Sequence, residues 1–109
     1  MKPISAIVAG TGFYKPSIVG TYLCEPGTKA KLLREPRNHH DANAIAVAVS
    51  DPVFGIIPRW TTIGHLKAPL AARLAPKIDA GAVLDVVISS VWNPGGIEHP
   101  RISLTITAR

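Results

Sequence analysis

The sequence predicts a mainly β protein, a small six-stranded OB-like barrel with one or two short helices. Two observations carry that prediction. Short runs in which Val, Ile and Ala dominate alternate with Gly and Pro turns along the whole chain, and only one stretch has helical periodicity. The length of 109 residues supports one modest core without staples, so residues 1–109 form a single domain.

The elements follow in order. Ile4 to Val8 reads as a buried strand that ends in Gly10-Thr11-Gly12. A second strand runs from about Ile18 to Leu23. Glu25-Pro26-Gly27 then makes a turn, because Pro presets φ and Gly accepts positive φ. Thr28 to Arg34 is the third strand. After a polar loop, Ala44 to Val49 returns as a strand of β-branched and small residues, closed by Ser50-Asp51-Pro52. Phe54 to Pro58 and Thr61 to Leu66 form one interrupted extended segment. The helix spans Pro69 to Asp79, where Leu70, Leu74 and Ile78 make one apolar stripe, Pro69 suits N1 and Gly81 stops it. Pro76 removes a backbone donor there, so a break and restart is expected. Ala82 to Trp92, a turn at Asn93 to Gly96, and Arg101 to Thr107 complete the chain.

Composition narrows the function. Hydrophobic residues make up 47% of the chain, which excludes a disordered tail. No apolar run reaches the roughly 18 residues of a membrane span. The lone Cys24 has no partner for an internal disulfide and the N-terminus lacks a leader pattern, so a cytoplasmic setting is expected. Lys and Arg exceed Asp and Glu by 12 to 7, and the net charge of +5 suits an anionic partner.

Three segments carry candidate chemistry: Gly12-Phe13-Tyr14-Lys15, the loop from Arg34 to Asn43, and Ile63-Gly64-His65-Leu66-Lys67. Single-stranded nucleic acid is held by aromatic faces under bases and cations along phosphates. Phe13, Tyr14 and Trp92 suit the first task. Lys15, Arg37, Arg59 and Lys67 suit the second, and Arg34 has the fork geometry for a phosphate. Each has a structural alternative. The aromatic pair fits the core and rim of a barrel, and Trp92 a half-buried strand end. Asn38, Asp41 and Asn43 are turn formers, and Arg34 has Glu25 or Glu35 as surface partners.

His39, His40 and Asp41 invite a metal reading and, with it, a small metal-dependent hydrolase. Adjacent histidines on extended chain point apart, and His65, His99 and Cys24 are remote in sequence, so no metal or other cofactor is expected. No base stands beside Cys24 in sequence, and the serines lie in no nucleophile elbow. The residues point to no enzyme.

The spacing Arg34-Glu-Pro-x-Asn38-x-x-Asp41-x-Asn43-Ala-Ile-x-Val47 resembles the signature of the HIRAN domain, a small β-barrel module of SNF2-type fork-remodelling helicases that also occurs as a short bacterial protein. Ile63-Gly-His-Leu66 followed by Ala71-Ala-Arg-Leu-Ala-Pro-Lys-Ile-Asp-Ala-Gly81 resembles a second family segment, and the likeness extends from about Ile7 to Ser90. The resemblance implies recognition of single-stranded DNA, in the best understood members at the 3′ end. It implies base stacking by Phe13 and Tyr14, and acceptance of a terminal hydroxyl by Asp41. Asn38 and Asn43 would brace the loop or donate to phosphate, His65 and Lys67 would lie near the DNA backbone, and Trp92 near an aromatic position of the penultimate strand. Gly12 stands where the eukaryotic proteins carry a basic residue, and Phe13 where they carry a tyrosine, so one phosphate contact and one hydroxyl are missing. The expected function is a non-catalytic single-stranded DNA-binding module that recognises 3′ ends in repair or replication, with helicase or nuclease proteins as partners. A protein-interaction module with a degenerate nucleic-acid pocket is the alternative.

Overall fold

The computed structural model describes residues 2–11, 24–51, 59–92 and 100–109. Six strands and one helix occur among them: β1 (Ile4–Ile7), β2 (Lys29–Arg34), β3 (Ile45–Asp51), β4 (Arg59–His65), α1 (Ala68–Asp79), β5 (Leu84–Trp92) and β6 (Arg101–Ala108). The strands form one antiparallel sheet in the order β1-β6-β5-β2-β3-β4. The mainly β, OB-like class read from the sequence holds. The expected strand at Ile18 to Leu23, the segment Phe54 to Pro58 and the turn at Asn93 to Gly96 lie outside the described residues.

Alternation builds the wall. Ile45, Val47 and Val49 of β3, Ile63 of β4, Val86 and Ile88 of β5, and Ile102, Leu104 and Ile106 of β6 are buried and fill the interior with Leu74 of α1. Burying each such side chain contributes roughly 1.5–3 kcal/mol. Ala71, Leu74 and Ala75 face this core, with Leu70 and Ile78 packed at its margin, as the apolar stripe predicts.

The sheet does not close along a full ladder. Its two edge strands meet at one bridge, where the Ala9 amide donates to the His65 carbonyl (2.8 Å) and the His65 amide to the Ala9 carbonyl (2.9 Å). Continued, that pairing would set Ser5 opposite Pro69, which has no amide to donate. Instead Lys67, extended at φ −61° and ψ 146°, caps α1 and the chain turns away. Gly64 lets β1 cross this closely: a Cβ there would lie 2.5 Å from the Ala9 carbonyl oxygen.

Two bulges bend the wall. Register shifts between Val47 and Ala48 opposite β4, placing Ile63 as the extra residue, and between Ile88 and Ser90, placing Ser89 as the extra residue of β5. Each reverses which face the following residues occupy.

The helix corrects one expectation: it runs unbroken through Pro76. Pro76 and Ala72, whose carbonyl loses its α-helical donor there, both lie on the exposed face of the helix. Gly81 stops the helix as expected, at φ 96°, with the Gly81 amide on the Ile78 carbonyl and the Ala82 amide on the Lys77 carbonyl, a Schellman pair. The turn at Glu25–Thr28 also forms, with Gly27 at φ 94° and the Thr28 amide donating to the Glu25 carbonyl.

Candidate nucleic-acid interface

The loop between β2 and β3 is held by its own side chains. Asn38 Oδ1 accepts from the His40 and Asp41 amides (2.9 and 3.2 Å), and its Nδ2 donates to Glu35 Oε1 at 3.3 Å. Asp41 Oδ1 accepts from the Asn43 amide at 2.8 Å. Backbone bonds from Glu35 to Ala44, Asn38 to Glu35 and Ala44 to Asp41 complete the frame. Of the two roles open to Asn38, the bracing one is occupied. Asp41 Oδ2 has no hydrogen-bond partner among the described residues and remains an acceptor.

Arg34 departs from the sequence reading. It stands opposite Ile45, which puts its side chain on the core side of the wall, only 13% exposed. Its Nε and Nη2 grip the two carboxylate oxygens of Asp79 (2.9 and 3.2 Å), and Nη1 donates to the Ala44 carbonyl at 2.9 Å. Neither Glu25 nor Glu35 is its partner. Three of its five donors are thus engaged within the chain, so Arg34 fixes the loop's mouth to the end of α1. The same guanidinium offsets a carboxylate at the negative end of the helix dipole.

His65 is brought to this loop from β4, with Nε2 2.6 Å from Glu35 Oε1. Strict alternation from the buried Ile63 would turn His65 inward; the bulge turns it outward, level with Ala46. Trp92 is governed the same way. Val86 and Ile88 are buried, and without the extra Ser89 the period of two would bury Trp92 with them. Instead it stands 58% exposed, with the Arg101 guanidinium 5.9 Å from its ring centroid. The half-buried alternative for Trp92 is therefore set aside.

Register joins the two residues. Trp92 pairs with Arg101. The Val8 amide donates to the Ile102 carbonyl, so Ala9 falls level with Arg101, and Ala9 bridges to His65. Trp92, Arg101, Ala9 and His65 form one outward row across four strands, spanning about 14 Å at a strand spacing of about 4.8 Å. The row runs from an exposed indole and a guanidinium to an imidazole, Glu35 and Asp41's loop. Buried Thr11 anchors the chain beside it, its hydroxyl donating to the Pro100 carbonyl at 2.8 Å.

The remaining candidates divide. Phe13, Tyr14 and Lys15 lie outside the described residues, two to four positions beyond Thr11. Asn43, Arg37, His39 and His40 are exposed on the loop. Lys67 is exposed but lines a separate groove of about 440 Å³ between β1 and α1 with Arg73. Of Arg59, only the backbone is described. Among the described residues no three His, Cys, Asp or Glu side chains gather at metal-ligand spacing. Cys24 is buried, and burial pushes its thiol up to about 11, away from nucleophilic use at neutral pH. Sequence reasoning missed Asp79 and Arg101 as parts of the site and read Glu35 only as a loop residue or a partner of Arg34; the contacts of these three with Arg34, Trp92 and His65 each span at least 9 residues, for which no local pattern exists.

The sequence profile of the HIRAN domain matches residues 4–106. No curated protein sequence matches the chain. Among solved structures, the HIRAN domain of human HLTF is similar with a TM-score of 0.67 and 24% identity, over 95% of this chain and 74% of that one. A structural-genomics protein from Lactobacillus plantarum is similar with a TM-score of 0.69 and 17% identity, over 99% of this chain and 98% of that one. At these identities the structural likeness is one of fold.

Proposed function

Because the chain belongs to the HIRAN domain family, whose members are nucleic-acid-binding modules, we propose that it binds single-stranded DNA at 3′ ends, without catalysis of its own, in repair or replication. The observation that carries this reading is the outward row from Trp92 and Arg101 to His65 and the braced loop.

In this reading a base stacks on Trp92, and Arg101 leaves the ring's vicinity for a phosphate. The strand runs along the row toward the loop. Phe13 and Tyr14 follow Thr11 in sequence and supply further stacking, with Lys15 as a backbone cation. Asp41 Oδ2 accepts a hydrogen bond from the terminal 3′-hydroxyl. The same carboxylate repels a 3′-phosphate, so one group both recognises and rejects. Asn38 and Asn43 hold that carboxylate's loop in place, His65 is fixed by Glu35 beside the path, and Lys67 adds charge beyond it. Arg34 acts from behind, as a positioning residue. Helicase or nuclease proteins are the partners that would supply an activity this domain lacks, and the cytoplasm is its setting. Among the described residues no helix is long and apolar enough to cross a membrane.

The test is fluorescence anisotropy on short strands ending in a free 3′-hydroxyl, a 3′-phosphate or a 3′ end buried in duplex, each over a salt series. Preference for the free hydroxyl that vanishes in Asp41→Asn supports the reading. Equal binding to all three refutes end recognition, and no binding at low salt refutes the DNA reading and favours the protein-interaction module.

A further inference from the structure

We propose that the outer face of β2 and β4 carries a second contact point for the same single strand, where a base stacks on Trp60 and Lys29 and Lys31 hold the flanking phosphates; this rests on the single-stranded DNA reading above. Trp60 was not among the residues singled out by sequence, yet it is 40% exposed on the outer face. It pairs with Ser50, and continuing the β2–β3 register by one residue from Ala30 and Val49 sets Lys29 on the same level. Lys31 reaches over from two residues along, its Nζ 4.2 Å from the indole centroid. Buried Ala48 lies between Lys31 and Thr62 and keeps the floor low.

A groove of about 640 Å³ runs past these side chains, bordered by Val87, Asp85 and Arg109. It opens because β2 and β5 pair at Lys29–Val87 and Ala30–Val86 and part beyond Ala30, while on the other side Gly27 and Thr28 stay bonded to Ile88. Asp85, the carboxylate on its border, is tied to Arg109 at 2.7 Å. Among the described residues neither Lys29 nor Lys31 forms an ion pair with a carboxylate.

The chemistry favours a nucleic acid over a peptide. The side chains decide this, because Trp60 stands on the edge strand β4 and β2 parts from β5 beyond Ala30, which leaves backbone open to an added strand as well. What the face presents is a flat aromatic surface and two mobile ammonium groups, the pair that sequence-tolerant strand binding requires. An exposed cation–π contact is weak enough to be exchanged for a phosphate.

Two tryptophans in the chain make the test direct. Trp92→Phe leaves Trp60 as the reporter, and Trp60→Phe leaves Trp92. Each is titrated with a thymidine oligomer of about 20 nucleotides, longer than one OB-fold site, and with polyglutamate. Quenching of Trp60 by the oligomer and not by polyglutamate is expected. Lys29→Ala with Lys31→Ala should then lower the slope of log affinity against log salt by about 1.4, at roughly 0.7 for each lost phosphate contact. Quenching of Trp92 with Trp60 silent overturns this proposal alone. Silence at both overturns it together with the reading it rests on. Quenching of Trp60 by polyglutamate alone overturns it in favour of an acidic protein partner.

Discussion

Gly64→Ala tests the single bridge that joins the two edges of the sheet. The new Cβ would lie 2.5 Å from the Ala9 carbonyl oxygen and 2.5 Å from Val8 Cγ1. Neither neighbour yields cheaply, because the first is backbone and the second belongs to a core residue only 4% exposed. Relief requires β1 to lift from β4. That breaks the two reciprocal bonds between Ala9 and His65, at about 1 kcal/mol each, and the residual crowding costs a further 1–3 kcal/mol or so. A loss of about 3–5 kcal/mol follows, a large part of the roughly 5–15 kcal/mol that a domain possesses. Urea denaturation gives the total. Hydrogen exchange at the Ala9 and His65 amides locates it, since these should lose protection before the β5–β6 ladder does. DNA affinity should fall too, because the row from Trp92 to His65 is continuous only through Ala9. A variant within about 0.5 kcal/mol of the parent, with both amides still protected, would refute the account.

Other expectations follow from the same structure. Asp79→Asn should cost about 1 kcal/mol, because Arg34 stays largely buried without its carboxylate while the exposed side of the pair and the relieved helix dipole soften the loss; thermal melts measure it, and exchange should quicken in residues 35–44. Asn38→Ala should cost about 1–2 kcal/mol by freeing the His40 and Asp41 amides, and should weaken 3′-hydroxyl preference more than total DNA affinity in the anisotropy assay. Trp92→Ala should weaken strand binding by about 1–3 kcal/mol with an unchanged melting temperature, as its ring is exposed. Cys24 sets a pH limit: its thiol rises from 9.0 unfolded to about 11 folded, so its stabilising contribution is whole below pH 9 and is lost as pH rises toward 11. The whole loss is roughly 3 kcal/mol at 1.36 kcal/mol per unit, about 2 kcal/mol of it between pH 8 and pH 10.5, and Cys24→Ala should remove that part of the decline between urea titrations at those two values.

The mainly β class, the helix with its stripe and Gly81 stop, the Pro26-Gly27 turn, and the loop of short polar side chains with its family likeness are all legible in the amino-acid order alone. These are local matters of period, φ preference and side-chain reach, written within a few residues of where they act. Pro76 argues locally for a break, but a proline's cost depends on its place in the fold, and here both it and Ala72 lie on the exposed face of the helix. Arg34 was legible as a loop-mouth residue but not as a clasp on Asp79, since its partner stands 45 residues away.

The site itself was a tertiary decision. Alternation alone would bury His65 behind Ile63 and Trp92 behind Ile88. One extra residue in each strand, Ile63 and Ser89, turns both side chains to the outer surface, and whether a bulge forms depends on the partner strand's register. Their alignment with Arg101 then requires β1 to bridge β4 at Ala9, which a glycine permits and a helix-starting Lys67-Ala-Pro69 limits to one pair. Pairings across so many residues leave no trace in local periodicity, because each strand's pattern records only which of its faces is apolar and not which neighbour it will meet.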